Sequence, residues 1–125
     1  MSDELAQSLR LRAEQRGEDP TAIARRYVEE GLRMDRHPGI VFRDGPGGRR
    51  AALDGHRLQV WQVIDTLKQS GGELEETAAY LRLSVAEVRA AAAYHAEHPD
   101  EVERCIRRNL AAGDRAAARP SLDGE

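Results

Sequence analysis

The residues with the most chemical potential fall in a few places. Asp44-Gly45-Pro46-Gly47-Gly48 is glycine-rich enough to suggest a phosphate cradle. A phosphate loop also needs Gly-Lys-Ser/Thr after the glycines and a long parallel strand before them, and neither is present. The glycines therefore read as turn positions that require positive φ. His95, His98 and Cys105 come nearest to a ligand cluster. His95 and His98 share a helix face, but Pro99 separates them from Cys105 and no fourth ligand accompanies them, so no metal is expected. Carboxylates stand at helical spacing from arginines, as Glu14 does from Arg10, which describes a solvated face. No nucleophile is set beside a base. The sequence lacks the parts of an enzyme, and no cofactor is expected. What remains is the chemistry of binding.

Composition says what kind. The chain has 125 residues with 19 basic and 22 acidic side chains, a net charge of −3. No global positive field draws it to nucleic acid, so DNA contact would need a local patch or two patches joined in a dimer. All basic residues but Lys68 are Arg, a bias that suits phosphate recognition but more often reflects a GC-rich genome. Leu, Val, Ile and Phe together number only 24, against 19 Ala. Helices are favoured locally, but a core this thin leaves apolar faces wanting a partner or a second copy. Cys105 is the single cysteine, which excludes an intramolecular disulfide. No basic segment leads into an apolar run, and no stretch approaches the ~18 apolar residues of a membrane span. The cytoplasm is the expected location.

The elements that position these residues are mainly helical. Leu5, Leu9 and Ala13 recur every four residues and Gly17 closes that helix. Asp19 and Pro20 open a second, whose inward face is predicted as Ile23, Tyr27, Val28 and Leu32, with Ala24 and Gly31 allowing close approach. Residues 1–38 thus form a helical pair too small to bury both faces, and a dimer through Leu5, Leu9, Ile23, Tyr27, Val28 and Leu32 is expected. Ile40-Val41-Phe42 and Arg49 to Leu53 flank the Gly turn as a short β-hairpin. Helical spacing resumes with Val60, Trp61, Ile64 and Leu67, then Glu73 to Arg82. Ser84 and Glu87 form a capping box ahead of a third helix with inner stripe Val85, Val88, Ala92 and Ala96. Residues 39–98 therefore read as a hairpin plus a three-helix bundle. In residues 99–125, Val102, Ile106 and Leu110 form an amphipathic stripe, followed from Gly113 by a tail expected to fray.

Two of these features point to partners. The helical pair matches the helical part of a ribbon–helix–helix unit, in which a paired strand reads the major groove. Only Met1 and Ser2 precede the first helix in this sequence, so the reading strand is missing or cut off, and a plain dimerising hairpin is equally open. The segment from Glu73 to Glu97 has helix–turn–helix proportions. A DNA-binding version would expose Ser84, Glu87 and Arg89 with Arg82 near phosphate; Glu73, Glu75, Glu76 and Glu87 oppose that use, and a purely structural bundle explains the same apolar positions.

Three stretches carry a family resemblance: Gly39 to Gly45 with Gly47 to Leu53, Val60-Trp61-Gln62-Val63-Ile64, and Glu75 to Leu81 with Val88 to Tyr94. They resemble the domain-of-unknown-function 433 family, with its strand-rich opening and helix–turn–helix-like bundle. Ala22 to Arg33 is similar to the helical end that ribbon-type antitoxins of the VapB class place before such a domain. The likeness spans about residues 3–105. It implies a bacterial type II antitoxin that caps a PIN-like ribonuclease toxin and represses their shared promoter. On that reading operator DNA would meet Arg43, Arg49, Arg50, Arg82, Ser84 and Arg89. The toxin would meet Val102, Arg104, Ile106, Arg107, Arg108 and Leu110, whose tail orders across an acidic nuclease site. Packing of this last helix on its own domain is an open alternative. So are a stand-alone transcription regulator and a structural adaptor without a DNA role.

Overall fold

The computed structural model describes residues 2–45 and 47–118, with side chains described through residue 111. It is mainly helical, with one two-stranded antiparallel hairpin after two N-terminal helices. The chain divides into two compact units between Pro38 and Gly39.

The first unit is α1 (Asp3–Arg16) and α2 (Pro20–Arg36). Ser2 caps α1 by accepting from Leu5 N at 3.1 Å. Gly17 ends it at φ 66°, where its own N–H and that of Glu18 return to the carbonyls of Glu14 and Ala13. Asp19 caps α2 through the amides of Thr21 and Ala22, with Pro20 at the first helical position. Glu18 braces the pair, accepting from Arg16 at 3.0 Å and from Arg26 at 2.8 Å. Ala13 and Ile23 are buried. The inward face of α2 differs from the periodicity reading: it runs through Ile23, Glu30 and His37, while Tyr27, Val28 and Leu32 are exposed.

The second unit begins with β1 (Ile40–Gly45) and β2 (Gly48–Leu53), paired so that Ile40 faces Leu53, Phe42 faces Ala51 and Asp44 faces Arg49. Alternation places Ile40, Phe42, Ala51 and Leu53 on the core side. Four helices follow: α3 (Val60–Gln69), α4 (Leu74–Leu81), α5 (Val85–Glu97) and α6 (Pro99–Ala118). α3 is central, packing on α4, α5, α6 and β2, and α5 also packs on β1. Val60, Val63, Ile64, Val88, Ala91, Tyr94, Val102 and Ile106 fill the interior. Ser70 organises the start of α4, because its hydroxyl lies 3.0 Å from that of buried Thr77 and accepts from Glu73 N.

Two sequence expectations change here. The inner stripe of α5 is Val88, Ala91 and Tyr94, with Ala96 exposed. Alanine lies on every side of this helix, so the position of its one aromatic apolar side chain, Tyr94, decides which face turns inward. α6 also continues through Gly113 to Ala118 instead of ending there. The remainder of the tail, residues 119–125, lies outside the described residues.

Candidate nucleic-acid and partner interfaces

Of the arginines expected at DNA, those on the hairpin are largely occupied by the fold. Arg43 and Arg50 face each other across the strands, an arrangement that like charges disfavour. Their guanidinium groups reach to separate acceptors. Arg43 donates to the carbonyls of Leu53 (3.0 Å) and His56, and Arg50 approaches the carbonyl of Gly47 at 3.4 Å. Arg49 is paired with Asp44 at 3.4 Å. Arg43 therefore clamps the 54–59 loop and presents little to a ligand.

Arg82, Ser84 and Arg89 stand differently: among the described residues, neither arginine side chain has an acceptor in the fold. α4, the residues 82–84 and α5 form a helix–turn–helix in which all three side chains are exposed. Ser84 is the N-cap of α5: its hydroxyl accepts from Glu87 N at 3.1 Å, and the Glu87 carboxylate accepts from Ser84 N at 2.9 Å. Arg82 adopts the left-handed conformation, φ 59° and ψ 44°. The same pair of closing bonds ends three helices: Gly17 to Glu14 with Glu18 to Ala13, Gly71 to Lys68 with Gly72 to Leu67, and Arg82 to Ala79 with Leu83 to Ala78. Two of these ends place glycine at the left-handed residue and the third places Arg82. An L side chain there costs about 1–2 kcal/mol.

Glu87 opposed DNA binding in the sequence, but its charge is engaged within the fold. The backbone amide of Ser84 holds its carboxyl below the ordinary value of 4.5, against desolvation and with help from the His56 ring at 2.5 Å. Glu103 is lowered in the same way, first by Lys68 at 2.5 Å and then by His95 at 2.8 Å. A depressed folded pKa contributes stability that is present above the unfolded value and is lost as pH falls through the folded one. Glu87→Gln keeps the capping acceptor and removes the charge. Thermal melts are expected to place this variant below the parent at neutral pH. The gap should close on acidification well below pH 4.5.

α6 separates the residues expected at a toxin into two groups. Val102 and Ile106 are 3% and 5% exposed and belong to the chain's own core, so they cannot anchor a partner while α6 is docked. Arg104, Arg107 and Arg108 lie exposed on the opposite side of the helix, and Leu110 is also exposed. The same division occurs in the first unit. Ile23 is fully buried within the chain and Leu9 partly so, leaving Leu5, Tyr27, Val28 and Leu32 exposed.

Sequence reasoning assigns no role to His56, which links the 54–59 loop to the start of α5. Tyr80 was also assigned none, yet it stands 79% exposed on α4. Nothing in local spacing marks the first, since its partner is distant in sequence; the off-stripe position of Tyr80 was the available signal for the second. Among the described residues, no cluster of His, Cys, Asp and Glu is suited to hold a metal, and no helix is long and apolar enough to cross a membrane. No protein-family model matches the chain, and no match was found to a curated protein or a solved structure.

Proposed function

We propose that this chain is a DNA-binding antitoxin: it self-associates through α1 and α2, contacts its operator at the α4–α5 turn, and binds a PIN-like ribonuclease through the outer face of α6. The observation that carries the reading is Arg82. A long cation stands at a backbone position that two equivalent helix ends give to glycine, exposed in the turn between α4 and α5, where Ser84 and, further along α5, Arg89 are also exposed. Strain retained at an exposed site points to a role that outweighs stability. A phosphate contact at the mouth of the turn is such a role. The arginine triad on α6 supports the toxin contact by charge, because nuclease metal sites are acidic.

Arg82→Gly tests the DNA half. Denaturant melts are expected to show a gain of about 0.5–1 kcal/mol from relief of the left-handed strain, reduced by glycine's extra freedom when unfolded. Promoter titration should show weaker binding, with the salt slope reduced by about one per site. A variant that is stabilised but binds its promoter as before would remove Arg82 from the interface. Co-expression with the product of the adjacent gene, followed by affinity purification and a growth test, tests the toxin half. A stable complex that relieves toxicity is the expected result; no complex and no toxicity would leave a stand-alone regulator.

A further inference from the structure

The outer side of α2 carries a seam that the first unit leaves uncovered. Thr21, Arg25, Val28, Leu32 and Asp35 are all exposed, Val28 at 62% and Leu32 at 60%. Their spacing is four, three, four, three, the spacing of a coiled-coil seam. They lie away from Ile23, Glu30 and His37, which are buried. Ala24 and Gly31 border the seam and add no bulk along its edge.

The order of residue types selects the occupant. The seam is basic toward the start of α2, apolar in the middle and acidic toward its end. In a parallel pairing each residue meets its own twin, so Arg25 faces Arg25 and Asp35 faces Asp35. An antiparallel pairing about position 30 places Val28 against Leu32 and Arg25 against Asp35, in both halves at once. Antiparallel helix dipoles also oppose each other favourably. We propose that two copies of this chain associate through an antiparallel α2–α2 seam, with Arg25 of each copy facing Asp35 of the other. The two-fold axis passes at Glu30, whose own side chain points away into its protomer. The surface is self-complementary, as a closed dimer requires. The proposal rests on the self-association in the antitoxin reading and specifies the face and register that would produce it.

Sedimentation equilibrium of the full chain tests it with Arg25→Asp, Asp35→Arg and the double reversal. Both substitutions are at exposed positions, and thermal melts check that each of the three variants folds. The wild type is expected to dimerise. Each single reversal creates two like-charged layers and should weaken the dimer roughly ten- to hundredfold, whereas the double reversal restores both layers and should return affinity to within about threefold. A wild type that is monomeric at every concentration overturns the proposal. So do single reversals without effect, or a double reversal as weak as the singles. The co-expression result is read separately. A monomeric chain that neutralises its neighbour removes the seam and keeps the antitoxin. A dimer with charge rescue beside a harmless neighbour supports the seam and removes the antitoxin.

Discussion

Tyr94→Ala is expected to remove about 3–5 kcal/mol of stability from the second unit while α1 and α2 keep their own helical signal. Tyr94 is fully buried on α5. Its ring meets Phe42 of β1 edge-on, with centroids 6.2 Å apart, and lies 4.7 Å from the His98 ring. Its hydroxyl donates to Glu101 on α6. One side chain therefore joins the hairpin, α5 and α6. Removing a buried aromatic costs about 3–5 kcal/mol. The second unit spans about eighty described residues, and at roughly 0.05–0.15 kcal/mol per residue its total stability is of the order of 4–12 kcal/mol. The loss is thus a large part of the whole. Tyr94→Phe keeps the ring and loses only the bond to Glu101, a change of about 1–2 kcal/mol. Urea titrations followed by fluorescence of the lone tryptophan, Trp61 on α3, would rank wild type, Phe and Ala in that order. A Tyr94→Ala chain that melts with the wild type would show that Tyr94 does not join α5 to the hairpin and α6.

The central place of Tyr94 was the least legible part of the fold. Helix ends were plain in the sequence because capping is local: Asp19-Pro20, Ser84 with Glu87, and Gly71-Gly72 each act within a few residues. The hairpin was legible for the same reason, from a β-rich run, a turn and a return strand. Which face of a helix turns inward is not a local property. In α5 alanines surround Val88 and Tyr94, so periodicity fitted a stripe through Ala92 and Ala96 as well as the observed one. In α2 two faces carry apolar residues, and the apolar count favoured the face that is exposed.

The candidate site divides along the same line. That arginines gather at residues 43–50 and 82–89 is a fact of sequence, but their availability depends on distant acceptors. Arg43 is taken by the carbonyls of Leu53 and His56, and Glu87 is engaged by His56, thirty-one residues away. Arg82 stands out only once its backbone is known, because the left-handed position at the end of α4 is unmarked by glycine. The turn of the helix–turn–helix and the hairpin tip are thus separated by what their arginines are free to do.

Deleting residues 99–125 would remove every residue that the sequence places at the toxin, but the structure changes what that deletion would measure. α6 supplies Val102 and Ile106 to the core, and each buried aliphatic side chain is worth about 1.5–3 kcal/mol. The deletion also removes Glu101 from Tyr94, and Glu103 from Lys68 and His95, and opens α3 and α5 to water. The truncated chain is therefore expected to lose cooperative unfolding of its second unit, so failure to neutralise a toxin would report unfolding as readily as a lost contact. Replacing Arg104, Arg107 and Arg108 together by Ala separates the two effects. All three are exposed, on the side of α6 away from the core, and alanine is the better helix former. Stability should change by no more than about 0.5 kcal/mol per site. Pull-down and growth assays with the adjacent gene product should show a large loss of binding, about tenfold or more, if these cations meet an acidic site. A triple variant that folds and neutralises as well as the wild type would move the toxin contact off α6. The exposed surface left to consider would then be α4, where Tyr80 stands out to solvent between the acidic start of the helix and Arg82.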